Sequence, residues 1–162
     1  MKASQNILEK IYSIEDISKQ TLRWKLKSES IVFTNGVFDL LHEGHIASLT
    51  QAASLGDILI VGINSDDSVK KLKGPSRPIN NEYTRTLLLS QMLIVDAVVI
   101  FNEDTPLELI KSIMPDILVK GGDYTIDQIA GAKEVIANGG KVVLADIIDG
   151  VSTSSIIEKM KS

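Results

Sequence analysis

The two histidines of this 162-residue chain, His42 and His45, both fall in the segment Thr34-Asn35-Gly36-Val37-Phe38-Asp39-Leu40-Leu41-His42-Glu43-Gly44-His45. An apolar run, Ile31 to Thr34, leads into it and a helical pattern follows it. The imidazoles therefore sit where the amides of a helix N-terminus face an anion. Ring N–H donors and open backbone amides on one loop suit a phosphate. Gly36 and Gly44 add to this, because a residue without Cβ lets the backbone approach a ligand closely. A metal is the rival use of two histidines. The H-E-x-x-H pattern needs them at i and i+4 on one helical face, whereas here they stand at i and i+3 around a glycine, and the chain has no cysteine to complete a shell. That weakens a zinc site and leaves Asp39 or Glu43 as the residues able to assist a metal.

Two further segments carry charge or hydroxyls in phosphate-binding patterns. Residues 70–85 hold Lys70, Lys71, Lys73, Arg77 and Arg85 against the single acid Glu82, a basic stretch on a chain whose formal net charge is −4. Such a stretch reads as a loop able to clamp phosphates, with Lys70 and Lys71 as solvated members. Ser152-Thr153-Ser154-Ser155 opens the last helical pattern, and one hydroxyl is enough to cap a helix. Gly121-Gly122-Asp123-Tyr124 follows an apolar run and reads equally well as a ligand-binding edge or as a capped turn.

The elements that position these residues follow from hydrophobic patterning. Ile31 to Thr34, Ile58 to Ile63, Ala97 to Phe101, Ile117 to Lys120 and Lys141 to Ala145 are continuous apolar runs, as expected of strands buried on both faces. Helices are expected between them: His45 to Leu55, Asn81 to Ile94, one opening at Thr105-Pro106 with Thr105 as its cap, Asp127 to Ala137, and one from Ser152 onward. The fold class is therefore α/β, a doubly wound, parallel, five-stranded sheet in a single domain. Residues 1–30 stand outside this rhythm as an N-terminal helical extension, with Ile7, Leu8, Ile11, Ile14 and Ile17 at helical spacing, and residues 31–162 form the domain proper. In such sheets ligands bind beyond the carboxyl ends of the strands. No two glycines are separated by a single residue, so G-x-G-x-x-G does not occur, and neither does G-x-x-x-x-G-K-[ST].

Composition excludes several classes. Without cysteine there are no thiol nucleophiles, disulfides or iron–sulfur ligands. The negative balance disfavours nucleic acid as a partner. No apolar run approaches the roughly 18 residues of a membrane span, and the N-terminus lacks the apolar core of an export signal, so a cytoplasmic protein is expected.

The Thr34–His45 segment resembles the first signature of the HxGH nucleotidyltransferases, the cytidylyltransferase-like superfamily. The chain is most similar to the adenylyltransferase domain of heptose 1-phosphate adenylyltransferases, from about Ile31 to the end. Asn64-Ser65-Asp66, Leu72-Lys73-Gly74 with Arg77-Pro78-Ile79-Asn80, Leu118 to Tyr124, and Gly150 to Ser155 extend the resemblance. It implies a Rossmann-like fold and transfer of AMP from ATP to a heptose 1-phosphate, with release of pyrophosphate, in lipopolysaccharide core synthesis. His42, His45 and Lys73 become the catalytic residues. Thr34, Asn35, Gly36, Phe38, Gly44, Lys120, Gly121, Asp123, Ser152, Thr153 and Ser154 surround the nucleotide, the hydroxyl cluster meeting its β- and γ-phosphates. Asp39, Asn64, Asp66, Arg77 and Arg85 face the acceptor, Arg85 as a phosphate contact, although Thr84 stands where the family has an acid. Mg²⁺ is implied on the triphosphate. Thirty leading residues cannot hold a sugar kinase, so a separate kinase is expected to supply the acceptor, and a homo-oligomer is expected. Glycerol 3-phosphate with CTP, or a pantetheine or flavin phosphate with ATP, are alternatives. A nucleotide-binding sensor without turnover is the alternative of a different class.

Overall fold

The computed structural model describes residues 7–122, 124–146 and 152–161. Strands β1 (Ile11–Tyr12), β2 (Ile31–Gly36), β3 (Ile58–Asn64), β4 (Ala97–Phe101), β5 (Ile117–Gly121) and β6 (Lys141–Ala145) form one parallel sheet in the order β1-β4-β3-β2-β5-β6. The chain leaves β2 toward β3 and β4 on one side and returns to β5 and β6 on the other, so the order reverses between β2 and β5. That gap between diverging crossovers is where an open α/β sheet offers a ligand crevice.

Six helices were legible or partly legible in the sequence, and a seventh was not. α1 (Ile14–Leu26), α5 (Leu107–Ile113) and α6 (Ala132–Ala137) pack on one face of the sheet, with Ile17, Trp24, Ile110 and Val135 against Phe33, Ile60 and Val99. α2 (Glu43–Ala53) and α4 (Glu82–Ser90) cover the other, where Leu49, Ala52 and Leu89 meet Val32, Val61 and Val98. Alternate residues of each strand feed opposite layers, as the continuous apolar runs require. α7 (Thr153–Lys161) closes the described chain.

The sheet has six strands where five were expected. Ser13 accepts the amide of Asp16 and starts α1 there, which cuts the expected helical run and frees Ile11 and Tyr12 to pair with Val98 and Val99 of β4. Of the apolar residues at helical spacing, Ile17 is fully buried while Leu8 stays 57% exposed. The segment ahead of β2 thus joins the core through Ile17, Thr21 and Trp24.

Residues 70–73, expected as the start of a loop over 70–85, instead end α3 (Asp66–Lys73), which is capped by Ser65 through the amide of Ser68. α5 begins one residue late, with Pro106 rather than Thr105 ahead of it and no side-chain cap. The helix expected over 127–137 is split into a short 3-10 turn at Ile126–Gln128 and α6, because Gly131 takes φ +84° beside Ile110, whose side chain lies 2.7 Å from where a Cβ would stand.

Candidate active site

The loop from β2 to α2 is folded around three rings and one carboxylate. Phe38 adopts φ +49°, a left-handed conformation unusual for a bulky residue, and its buried ring lies over Gly36, where a Cβ would stand 3.0 Å from it. A side chain at Gly36 would press on the Phe38 ring, so the glycine serves this packing. The same ring meets His45 at 5.1 Å between centroids, and His45 stacks on His42 at 3.8 Å with 25° between planes. His42 precedes α2 in extended backbone without capping the helix through its side chain. The two imidazoles thus stand together at an α-helix N-terminus, and the Nδ1 of each is buried without a hydrogen-bond partner among the described residues.

Both rings are held neutral. Burial pushes His42 down, with partial compensation from Glu43. Burial, the neighbouring His42 and Lys73 lower His45 to about 4, offset in part by the backbone of Leu40. A histidine depressed from its ordinary 6.5 stays neutral in the folded protein after the unfolded chain has taken up its proton. Its contribution is therefore complete above pH 6.5 and is lost as pH falls from there toward 4. The unliganded protein is expected to lose thermal stability through that window, and His45→Gln should flatten the loss; an unchanged melting-versus-pH curve in the variant would contradict the assignment.

Asp39 and Arg85, both expected at the acceptor, are instead spent inside the protein. The Asp39 carboxylate is 1% exposed and accepts from Arg77 Nε at 2.7 Å and from the amides of Ile79 and Asn80 at 2.9 Å. Burial pushes this carboxyl up, but those amides and Arg77 outweigh it and hold it below the ordinary carboxylate range. Arg77 is 12% exposed in the ion pair, so the Arg77–Asn80 loop is tied to the histidine loop and has little reach outward. Arg85 is fully buried. Its Nε donates to the Asn80 carbonyl at 3.0 Å, Nη1 to the Val37 and Asn64 carbonyls at 2.8 Å each, and Nη2 to Asp66 Oδ1 at 2.8 Å. The guanidinium cross-braces the ends of β2 and β3 to the start of α4. Asp66 is the acid that pairs with it, from outside its own helix.

A cleft opens over the carboxyl ends of β2, β3 and β5 in two adjoining cavities. The larger, about 480 Å³, is walled by Asn35, Gly36, Asn64, Lys73 and Lys120, and also by Asp104, Thr105, Tyr124 and Gln128. The smaller, about 240 Å³, is walled by Thr34, Asn35, Gly36, Phe38, His45, Ser48, Lys120, Gly121 and Tyr124. The cleft thus gathers Thr34, Asn35, Gly36, Phe38, His45, Asn64, Lys73, Lys120 and Gly121 of the expected residues. His42 supports His45 from behind, and Gly44 lies on the same helix N-terminus. At α7, Ser152 and Ser155 cap each other reciprocally and Thr153 Oγ1 donates to the Leu40 carbonyl at 3.3 Å, which brings this hydroxyl cluster to the histidine loop and leaves Ser154 exposed. Asp123, Gly150 and Val151 lie outside the described residues.

Tyr124 belongs to the segment read from sequence as either a ligand-binding edge or a capped turn, and it lines both cavities. Sequence reasoning missed Asp104, Thr105 and Gln128 as cleft residues; Asp104 and Thr105 follow β4 at its carboxyl end, so the strand-end rule could have found them. Gln128 sits on a 3-10 turn with no sequence signal. As to metals, no group of three or more His, Asp or Glu side chains converges among the described residues, and Asp39 is consumed by its own hydrogen bonds. No helix of the described residues is long and apolar enough to cross a membrane.

Residues 33–159 match the family model described as cytidylyltransferase-like. The protein named Bifunctional protein HldE of Paramagnetospirillum magneticum is 52% identical over 151 residues, covering 93% of this chain and 31% of that protein. Its namesake in Haemophilus influenzae strain KW20 / Rd is 53% identical over 151 residues, covering 93% and 32%. The chain thus spans about a third of the length of these relatives. A crystal structure titled as the lipopolysaccharide core biosynthesis protein from Thermoplasma volcanium superposes with a TM-score of 0.59 at 30% identity, covering 74% of this chain and 97% of that one. Pantoate-beta-alanine ligase from Francisella tularensis has a TM-score of 0.59 at 15% identity, a likeness of fold alone.

Proposed function

The chain belongs to the cytidylyltransferase-like family, and on that premise we propose that it transfers AMP from ATP to a heptose 1-phosphate, releasing pyrophosphate and forming an ADP-heptose for lipopolysaccharide core synthesis. The observation that carries the reading is the stacked His42–His45 pair at the N-terminus of α2, with His45 and Lys120 on the smaller cavity and Lys73 on the adjoining larger one, at the switch between β2 and β5. The heptose is supported by the segments Leu118 to Tyr124 and Arg77 to Asn80, and the pathway by the likeness to the Thermoplasma volcanium protein.

The chemistry asks little of the protein in proton transfer. A phosphate monoester has a second pKa of about 6, so the acceptor is already a nucleophile near neutral pH. One of its oxygens forms the new bond to the α-phosphorus, and the bond from that phosphorus to the bridging oxygen breaks, its electron pair leaving with pyrophosphate. Catalysis then reduces to holding two anions in line and stabilising charge on the α-phosphate. His45, neutral and rigidly stacked, donates to that phosphate, while His42 fixes its ring. The N-terminal hydroxyls of α7 receive the departing pyrophosphate, and the neighbouring helix amides favour its charge. When bound, Mg²⁺ would supply counter-charge to the triphosphate. The reaction is placed in the cytoplasm, downstream of a sugar kinase.

Lys73 stands at the end of α3 against the larger cavity, and its expected part is binding. Lys73→Ala should raise the Michaelis constant of a phosphorylated substrate by about tenfold, the worth of one charge-assisted hydrogen bond, with kcat less affected. Unchanged Michaelis constants for both substrates would make it a solvated lysine. The function itself is tested by incubating the protein with Mg²⁺ and ATP or CTP, together with heptose 1-phosphates of both anomers, glycerol 3-phosphate or phosphopantetheine, and identifying the products by mass. An ADP-heptose is the expected product; a product only from another pair would overturn the heptose assignment, and ATP binding without any product would favour the sensor.

A further inference from the structure

The two cavities of the cleft share four wall residues, Asn35, Gly36, Lys120 and Tyr124, and of these Lys120 alone carries a charge. Lys73 and Asp104 face only the larger cavity, and His45 faces only the smaller. Lys120 is the penultimate residue of β5, beside Asn35 of β2, so its ammonium sits over the gap where the strand order reverses. Its position is fixed by the sheet rather than by a loop.

Among the described residues, none carries a charge that compensates that of Lys120. Nζ lies 3.2 Å from Asn35 Oδ1 and 3.5 Å from the Asn35 carbonyl, the latter at the limit of a hydrogen bond, and 5.4 Å from the centroid of the Tyr124 ring. Among the described residues it forms no ion pair. Burial alone lowers its pKa. Lys120 is half-buried and open to the cleft, so an anion arriving there would offset the cost of its partial burial. Asn35 and Tyr124 orient the ammonium and leave donors directed into the cleft.

We propose that Lys120 is a catalytic residue that contacts both reacting phosphates, the acceptor phosphate in the larger cavity and the α-phosphate in the smaller, where the two like charges must meet. The inference rests on the adenylyl-transfer reading and deepens it by assigning the larger cavity to the acceptor and the smaller to the nucleotide phosphate. Lys120 keeps its proton throughout; the oxygen–phosphorus bond forms and the bond to pyrophosphate breaks within the bridge of its N–H donors. Because the bridge is complete only when both anions are in place, its contribution is greater in the transition state than in either binary complex.

The test uses the full chain with Mg²⁺, ATP and heptose 1-phosphate, following pyrophosphate release. Lys120→Met is expected to lower kcat by about tenfold to hundredfold. ATP affinity, measured separately by calorimetry, should change only a few-fold, and the melting temperature should be equal or higher. The absence of cysteine from the chain provides a second test, since Lys120→Cys carries the only thiol. Alkylation with 2-bromoethylamine restores an ammonium at nearly the original length, and alkylation with 1-bromopropane supplies a neutral chain of like size. Recovery of kcat with the ammonium and not with the neutral adduct is the expected result. Equal recovery with both, or a Lys120→Met variant altered only in its ATP affinity, would overturn the proposal while leaving the reaction standing. A wild-type protein that releases no pyrophosphate would overturn the reaction and the proposal together.

Discussion

His45→Ala is expected to lower kcat by about two to three orders of magnitude, the usual cost of one preorganised donor at a developing phosphate or oxyanion charge. The effect should be confined to turnover. His45 is held by its stack on His42, 3.8 Å away, and by Phe38, 5.1 Å away, so its ring is already placed before substrate binds and costs no reorganisation in the transition state. Burial and the adjacent His42 depress its pKa to about 4, so at neutral pH it is one neutral donor. Truncation removes the donor but leaves the sheet, the β2–α2 loop and Lys73 in place. Turnover within about fivefold of wild type would amount to under about 1 kcal/mol of transition-state stabilisation and would remove the catalytic assignment.

Arg85→Ala is expected to act on stability first. The guanidinium is fully buried and serves the carbonyls of Val37, Asn64 and Asn80 together with Asp66. Removing one partner of a buried, hydrogen-bonded ion pair typically costs about 3–5 kcal/mol. For a domain of this size that corresponds to a fall in melting temperature of roughly 6–20 °C. Activity should fall with it, because the braced carbonyls belong to the histidine loop, the end of β3 and the Arg77–Asn80 loop. Arg85→Lys should rescue only part of the stability, since an ammonium cannot reproduce the planar fork that reaches Asn80, Val37, Asn64 and Asp66 at once. A variant that melts within about 2 °C of wild type yet loses substrate affinity would return Arg85 to the substrate-facing role that its sequence context suggests.

The contrast between these two residues marks what the sequence could and could not convey. His45 was legible because both histidines fall in one short segment between a strand and a helix, and the parallel sheet brings that segment to its carboxyl edge. Strands β2 to β6 were legible for a related reason: each is a continuous apolar run, as strands covered on both faces must be. β1 was not, because two residues pairing at a sheet edge carry no periodicity of their own and lay inside a helical pattern. α3 escaped as well, since Val69 is its one buried apolar residue in Asp66–Lys73 and the rest reads as a charged loop. Arg85 and Asp39 were misplaced for a different reason. Their charges suit phosphate binding in sequence, but whether a charge faces a ligand or a ring of carbonyls depends on contacts 19 to 48 residues away in the chain. Lys120 lies between these cases: its place at a strand end was readable, but its lack of a carboxylate partner among the described residues and its position between two cavities belong to the folded structure.

The central claim is attack on the α-phosphorus of ATP, and isotope tracing tests it most directly. The protein is incubated with Mg²⁺, heptose 1-phosphate and ATP labelled with ³²P at either the α or the γ position, and the products are separated. Label from the α position is expected in the sugar nucleotide and label from the γ position in pyrophosphate. Transfer of the γ label to the sugar, or retention of the α label in ADP or ATP alone, would contradict nucleotidyl transfer.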